Sequence, residues 1–346
     1  MRTRPLLATA VLAVLTVLLA ACGGTAASGS GGNSVTVYSA DGLGPWYQKR
    51  FAEFTAQTGI PVNYVEAGSG EVVSRVDKER GNPQADVLVT LPPFIQRAAE
   101  QGLLQNGGIG TGNAGGVPGR DQQGRYVPVV NNYPVFIANP TAAAPLPKTW
   151  DDLLAPRFAG KLQYSTPGQA GDGTAVLLQL QHVFGKQGAL DYLAKLQANN
   201  VGPSSSTGKL QPKVSNGELA VANGDLQMNL QSIVNDHSNF QLFFPADAGG
   251  ARSTFALPYV MGLAVGAPHA DAARKLIDFL LAEPAQQTVG SDAVGVSVRP
   301  DVHPTDPNTT KINEALRGVT IWAPDWDAVA RDLDADVAAY QQAVNK

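Results

Sequence analysis

From Ser34 onward, short apolar runs alternate with stretches of helical periodicity, and that alternation confines the chain to an α/β architecture. SVTVYSA reads as a strand. Pro45 then opens a helix in which Trp46, Phe51 and Phe54 recur at near-helical spacing until Gly59 stops it. PVNYVEA is the next strand, GSGEVVSRVDKER a glycine loop feeding a helix, and ADVLVT a third strand beyond the Asn82-Pro83 turn. Two β-loop-helix units in succession match one half of a doubly wound sheet.

LPPFIQRAAEQGLL predicts another helix with Pro93 in its first turn, and the glycine-rich interval from Gly107 to Gly124 an exposed loop. RYVPVVNNYPVFIANP is a long extended run. Its Pro128 and Pro134 argue against a central, fully paired strand, so the run is read as a connection between lobes. Thr149 is an N-cap for WDDLL; KLQYS and a helix around Leu190 to Leu196 continue the alternation, and FALPYVMGLAVG forms a return crossing. AARKLIDFLLAEPAQQ is an amphipathic helix. In the terminal DWDAVARDLDADVAAY, the spacing of Asp325, Asp327, Asp332, Asp334 and Asp336 fits no calcium loop and reads as a solvated helix face. With 346 residues, 44% of them hydrophobic, the chain can fill two lobes.

The amino-terminal MRTRPLLATAVLAVLTVLLAAC sets Arg2 and Arg4 before an apolar run ending in small residues, the pattern of an export signal. Leu6 to Ala21 is shorter than the roughly 20 residues a spanning helix needs. Leu19-Ala20-Ala21-Cys22 has the form of a bacterial lipobox, so residues 1–21 are expected to be removed and Cys22 lipidated, with residues 22–33 (GGTAASGSGGN after the cysteine) as a flexible tether. Cys22 is the single cysteine, so the exported fold has no internal disulfide. The expected location is the outer face of the cytoplasmic membrane. Loss of Arg2 and Arg4 leaves 23 basic against 29 acidic side chains, a balance that favours neither nucleic acid nor an anionic membrane surface as partner of the folded part.

No nucleophile-base pattern, metal cluster or cofactor fingerprint stands out. His182, His237, His269 and His303 are widely separated and accompanied by neither HExxH nor GxSxG, which reads as surface or capping use and leaves no catalytic residue, metal or cofactor to name. An active site assembled only by folding, from carboxylates distant in sequence, stays open. GPSSSTGKL (Gly202 to Leu210) mimics a phosphate loop, yet has five residues between its glycines and Leu210 where a magnesium-binding hydroxyl should stand.

YSTPGQAGDGTA (Tyr164 to Ala175), directly before the apolar run VLLQLQHVF, carries more information. A helix start offers N–H groups without internal partners, glycines admit an anion closely, and Ser165, Thr166 and Thr174 add hydroxyls. An ordinary N-cap would use one hydroxyl and one glycine; the surplus points to an oxyanion. Ser39, ending the first strand, and Gly68-Ser69-Gly70, before the next helix, sit at the carboxyl ends of strands, where open α/β sheets place ligands. The two sets come from different lobes, so an anion clamped between them is the geometric expectation.

The lipobox, VTVYSADG, PKTWDDLLAPRFAGKL, NGELAVANGD and ARKLIDFLLAEPAQQ together resemble the type II extracellular solute-binding proteins of ABC importers, across nearly the whole exported chain. Within the group of ferric-ion, thiamine and phosphonate binders, YSADG, NPQADVLVTLPPFIQ, VPVVNNYPVFI and LQYSTPGQAGDGTA are most similar to 2-aminoethylphosphonate-binding proteins. The resemblance implies a two-lobed type II fold with two interlobe crossings and a ligand cleft, acting as a monomer that closes on a small solute and is recognised by a membrane permease. Residues 34–130 together with 255–346 would form the first lobe and residues 131–254 the second. Ferric relatives carry adjacent tyrosines after the segment matching Asn216-Gly217-Glu218; here Gln227 and Met228 stand in that region, poor donors for Fe(III). Iron or another small anion is the runner-up, and a phosphonate or phosphate-ester hydrolase the third reading.

A zwitterionic phosphonate asks for two unlike pockets. For the phosphonate the expected donors are Ser39, Ser69, Gly70, Thr166, Gly168, Gly173, Thr174, Ser206 and Thr207. For the ammonium the candidates are Glu71 and Asp225, with Tyr259 as a wall; a helix-start acid and a turn residue are the competing readings of the two acids.

Overall fold

A computed structural model describes residues 34–345, so the expected export signal, the expected lipidation at Cys22 and the expected tether lie outside the described residues. In chain order the strands are β1 (Val35–Ala40), β2 (Val62–Ala67), β3 (Val87–Thr90), β4 (Tyr126–Asn131), β5 (Pro134–Ala138), β6 (Leu162–Gln163), β7 (Val221–Asp225), β8 (Gln241–Phe243), β9 (Ser253–Phe255), β10 (Tyr259–Leu263), β11 (Val296–Ser297) and β12 (Thr320–Trp322). They form a six-stranded sheet in the order β11-β4-β10-β3-β1-β2, a four-stranded sheet β6-β7-β5-β8, and the pair β12-β9. β1 is flanked by β2 and β3 in parallel, while β10 runs antiparallel to both β3 and β4.

The apolar runs are near-continuous because both sheet faces are covered. In the first lobe, Val37, Val89 and Met261 pack with Trp46 and Phe54 of the helix Gly44–Thr58 and Leu276 of the helix Ala270–Leu281. In the second, Phe136, Leu162 and Val221 pack with Trp150, Leu177 and Tyr192, the Phe136 and Trp150 rings meeting edge to face at 5.5 Å. Thr149 caps its helix as expected, accepting the Asp152 N–H at 3.1 Å.

The run containing Pro128 and Pro134 is two paired strands rather than an unpaired connection. β4 lies between β10 and β11, and β5 between β7 and β8. Pro128 is tolerated because β11 pairs only with Val130 and Asn131 and the β10 register slips between Tyr259 and Val260, so the ladder is already broken there. Pro134 opens β5, a position that suits it. The passage between sheets shrinks to Asn132 and Tyr133. Its carbonyl at Asn132 accepts the Leu257 N–H of the return passage at 2.8 Å, and the Asn132 side chain accepts the N–H groups of Tyr133 and Gln227. The interval from Gly107 to Gly124 also departs from an exposed loop, burying Ile109, Ala114 and Val117 in the first core.

The last helix, Trp326–Val344, serves both lobes rather than the first alone. Asp325 caps it through the Ala328 N–H, and Trp326 packs against Phe255 of the first core with ring centroids 5.8 Å apart. Asp334 pairs with Arg97 of the first lobe at 2.7 Å, while Asp332 and Asp336 take Lys186 of the second at 2.7 and 3.0 Å. Tyr340 then enters the second core, its hydroxyl 3.1 Å from that of Tyr164. Tyr340→Ala should lower stability by about 3 kcal/mol and Tyr340→Phe by about 1 kcal/mol, read from the unfolding midpoint; equal losses would show that the hydroxyl pair, not the ring, anchors the helix.

Candidate functional site

β6 ends at Gln163, and the chain bends through Tyr164 to Ala170 before entering the helix Gly171–Leu196. The bend holds itself together. Gly168, at φ +81°, donates its N–H to Thr174 Oγ1 at 3.0 Å, and that hydroxyl donates to the Ala170 carbonyl. Thr166 exchanges two hydrogen bonds with Ser204, N–H to carbonyl at 2.8 Å and Oγ1 from N–H at 3.0 Å, which stitches the bend to the Gly202–Gly208 loop. At Gly173 a Cβ would stand 2.3 Å from the Ser165 carbonyl oxygen, so only glycine admits this approach. The bend faces the first lobe: the Gly70 N–H donates to the Gln169 carbonyl at 3.1 Å.

Each of the other expected residues has a definite place. Ser39 is fully buried and donates to the Ala40 carbonyl; Ser69 starts the helix Ser69–Lys78, its carbonyl accepting the Thr90 hydroxyl at 2.9 Å. Thr207 donates to Ser165 Oγ at 2.9 Å, and Asn223 donates to the same atom at 3.0 Å. Ser206 reaches across to Asp41 Oδ2 at 2.5 Å, joined by the Gly208 N–H at 3.3 Å. Tyr259 donates to the Asp41 carbonyl at 2.9 Å. Glu71 does not serve as a free acid. Its carboxylate lines the cleft while accepting the Gly68 N–H at 3.1 Å at the helix start, and that bond holds it below the usual carboxylate range.

The acids that remain uncompensated lie deeper. Asp225 has no exposed surface; Oδ1 caps the helix Leu226–Asp236 through the Met228 N–H at 2.6 Å, and the carboxyl's other neighbour is the Asn132 amide, with no cation beside it among the described residues. Burial pushes its carboxyl up to about 7. Asp172, in the first turn after the bend, is also buried, with Oδ1 unpartnered; burial, then the charges of Asp225 and Asp41, push it well above the usual value. Asp41 is raised by burial as well, an effect partly offset by Ser206 and Gly208. None of the three is ion-paired among the described residues. A buried carboxylate left unpaired costs several kcal/mol. The hydroxyls of Tyr47 and Tyr64 are likewise buried without partners. Asp172, Asp41 and the two tyrosines were not anticipated. A lone acid in a first helical turn reads as dipole complement, and Asp41 acquires its partners from 165 residues away.

Outside these groups a cleft of about 670 Å³ opens between the lobes, with Asp41, Gly42, Glu66 and Gly68 on one wall and Ser206, Gly208, Lys209 and Met228 on the other. Gln227 ties the walls together, donating to the Gly42 carbonyl at 3.2 Å and the Ala293 carbonyl at 2.5 Å. Among the described residues no group of three or more His, Cys, Asp or Glu is placed to hold a metal ion, and no helix is long and apolar enough to cross a membrane.

Residues 40–287 match the family model described as bacterial extracellular solute-binding protein. The chain belongs to that family. This solute-binding protein is 52% identical over 313 residues, covering 89% of its own chain and 91% of the relative, to the "Putative 2-aminoethylphosphonate-binding periplasmic protein" of Salmonella typhimurium. It superposes on the periplasmic binding protein P5PA with a TM-score of 0.78 at 18% identity, covering 90% of this chain and 99% of that one. A periplasmic thiamin binding protein follows with a TM-score of 0.74 at 18% identity, covering 90% and 96%. The fold is therefore the two-domain type II periplasmic-binding-protein arrangement with open sheets.

Two outcomes check this geometry. Thr174→Val, which deletes both hydroxyl bonds of the bend, should cost about 1–2 kcal/mol in denaturant unfolding. Asp225 keeps its proton in the closed arrangement up to about pH 7, whereas a solvated carboxyl releases it near 3.8. The closed arrangement is therefore unpenalised at pH values below that lower limit and loses ground as pH rises through the window. X-ray scattering of ligand-free protein should show a more compact particle at pH 5 than at pH 8, and Asp225→Asn should flatten the difference.

Proposed function

We propose that this solute-binding protein captures 2-aminoethylphosphonate between its lobes and hands it unchanged to an ABC permease, held at the membrane by a lipid on Cys22. The observation that carries this reading is the pair of buried carboxyls, Asp172 and Asp225, neither of which has a cationic partner among the described residues. Sulfate offers them no donor and phosphate at most a P–OH; an alkylammonium group supplies both donors and charge. The 52% identical relative named for this ligand supports the same assignment.

In this reading the ammonium goes to Asp172 and Asp225, with Tyr259 as the wall beside them, and Glu71 keeps its capping role. The phosphonate meets Ser39, Ser69 and Gly70 from the first lobe, and from the second the bend of Thr166, Gly168, Gly173 and Thr174 with Ser206 and Thr207. Thr166 and Thr174 act through the shape they give the bend, because their hydroxyls are spent on Ser204, Gly168 and Ala170. The donors left for an oxyanion are then the free N–H groups that any helix start provides. Contacts from both lobes make the ligand bind the closed form more tightly than the open one, the only way it can drive closure.

A thermal-shift panel of 2-aminoethylphosphonate, phosphate, sulfate, thiamine and ferric citrate, on protein beginning after Cys22, tests the assignment. The aminophosphonate should give the largest rise in midpoint, and its incubation should release no product. A larger shift with any other member would overturn the ligand, and released phosphate or amine would overturn the receptor role.

A further inference from the structure

We infer that the amine of the ligand, rather than its phosphonate, licenses closure: Asp172 and Asp225 bar the lobes from shutting over any solute that brings no positive charge. The inference rests on the proposed function for the ligand's identity, but its consequence for the empty cleft does not.

Both acids belong to the second lobe, Asp172 opening the helix Gly171–Leu196 and Asp225 capping the helix Leu226–Asp236. Asp41 comes from the first lobe, directly after β1, and meets Ser206 and Gly208 only where the lobes touch. Shutting the cleft thus carries a third carboxylate toward two others. The donors nearby are few and all neutral: Ser206 and Gly208 serve Asp41, the Met228 N–H and the Asn132 amide serve Asp225, and the Thr207 hydroxyl lies beside Asp172. No lysine, arginine or histidine among the described residues pairs with Asp172 or Asp225. In an open cleft water solvates these carboxyls fully; in the shut one no positive charge replaces it. A simple oxyanion adds more negative charge to the same enclosure, whereas an ammonium supplies the missing partner. Discrimination against phosphate, sulfate and alkylphosphonates then comes from a penalty built against them and not from any shortage of anion donors.

The test combines scattering of ligand-free protein at pH 8 with calorimetry. Asp172→Asn with Asp225→Asn keeps side-chain shape, and asparagine remains a good N-cap. Ligand-free, the double variant should be as compact as wild type saturated with 2-aminoethylphosphonate, while ligand-free wild type stays expanded. Wild type should bind ethylphosphonate, which lacks only the amine, at least about 30-fold more weakly than 2-aminoethylphosphonate, and the double variant should lose that preference. If the double variant does not fold, the isosteric Asp172→Asn alone carries the same comparison. The inference is overturned if the ligand-free variant stays as expanded as wild type, or if wild type binds both phosphonates equally. Compaction of the empty variant together with failure of wild type to bind the aminophosphonate would sustain the charge barrier and remove the ligand assignment.

Discussion

Where the lobes of this solute-binding protein meet, two carboxyls, Asp172 and Asp225, lie out of reach of water with no cation beside them among the described residues. Unpaired carboxylates in such a place are expensive, and proteins tolerate them when the surrounding fold dictates the position and a function uses it. Here the position is dictated twice over. Asp172 is fixed by a bend so tight that Gly173 has no room for a Cβ, and Asp225 by its duty as the cap of a helix. The backbone of Asp172 and the capping side chain of Asp225 cannot leave without undoing a local structure, which makes the two acids, though not their protonation, a fixed property of the interface.

The hydroxyls nearby are organised differently. Thr166, Thr174 and Thr207 all donate to or accept from other parts of the second lobe, and Thr166 and Thr207 join two polar loops into one edge. A polar edge set before any solute arrives loses little conformational freedom when one binds. Rigidity of the edge and fixity of the acids are complementary, since a penalty can be felt only where groups are unable to rearrange.

Much of this was legible in the chain, and the omissions have physical causes. β1, β3 and β10 announce themselves as apolar runs because both their faces are covered, and the bend shows in its surplus of glycine and hydroxyl residues. Pro128 misled because its tolerance depends on how far a two-residue strand from position 296 reaches along β4, which no local pattern encodes. Glu71 shows two signals at one position: it lines the cleft, and its place three residues after Gly68 at a helix start lets its carboxylate accept the Gly68 N–H. Asp172 was hidden because the same residue type in the same turn is ordinarily solvent-exposed and merely favoured by the helix dipole. Here the first lobe comes so close to this turn that a Cβ on the preceding Gly171 would clash with Leu91 and Ser69, a proximity no local pattern encodes.

The last helix bears on how such a molecule moves. Its Tyr340 ring is sunk in the second core, while Trp326 and Val329 lie against the first core and Asp334 pairs with Arg97 at the surface. Drawing a buried aromatic into water costs several times more than parting two solvated charges, about 3 kcal/mol against less than 1. Opening that spares both apolar ends must therefore turn about this helix rather than pull it out of either lobe. The helix is then a strap anchored by aromatic rings at each end, neutral where it holds and indifferent to what the cleft contains.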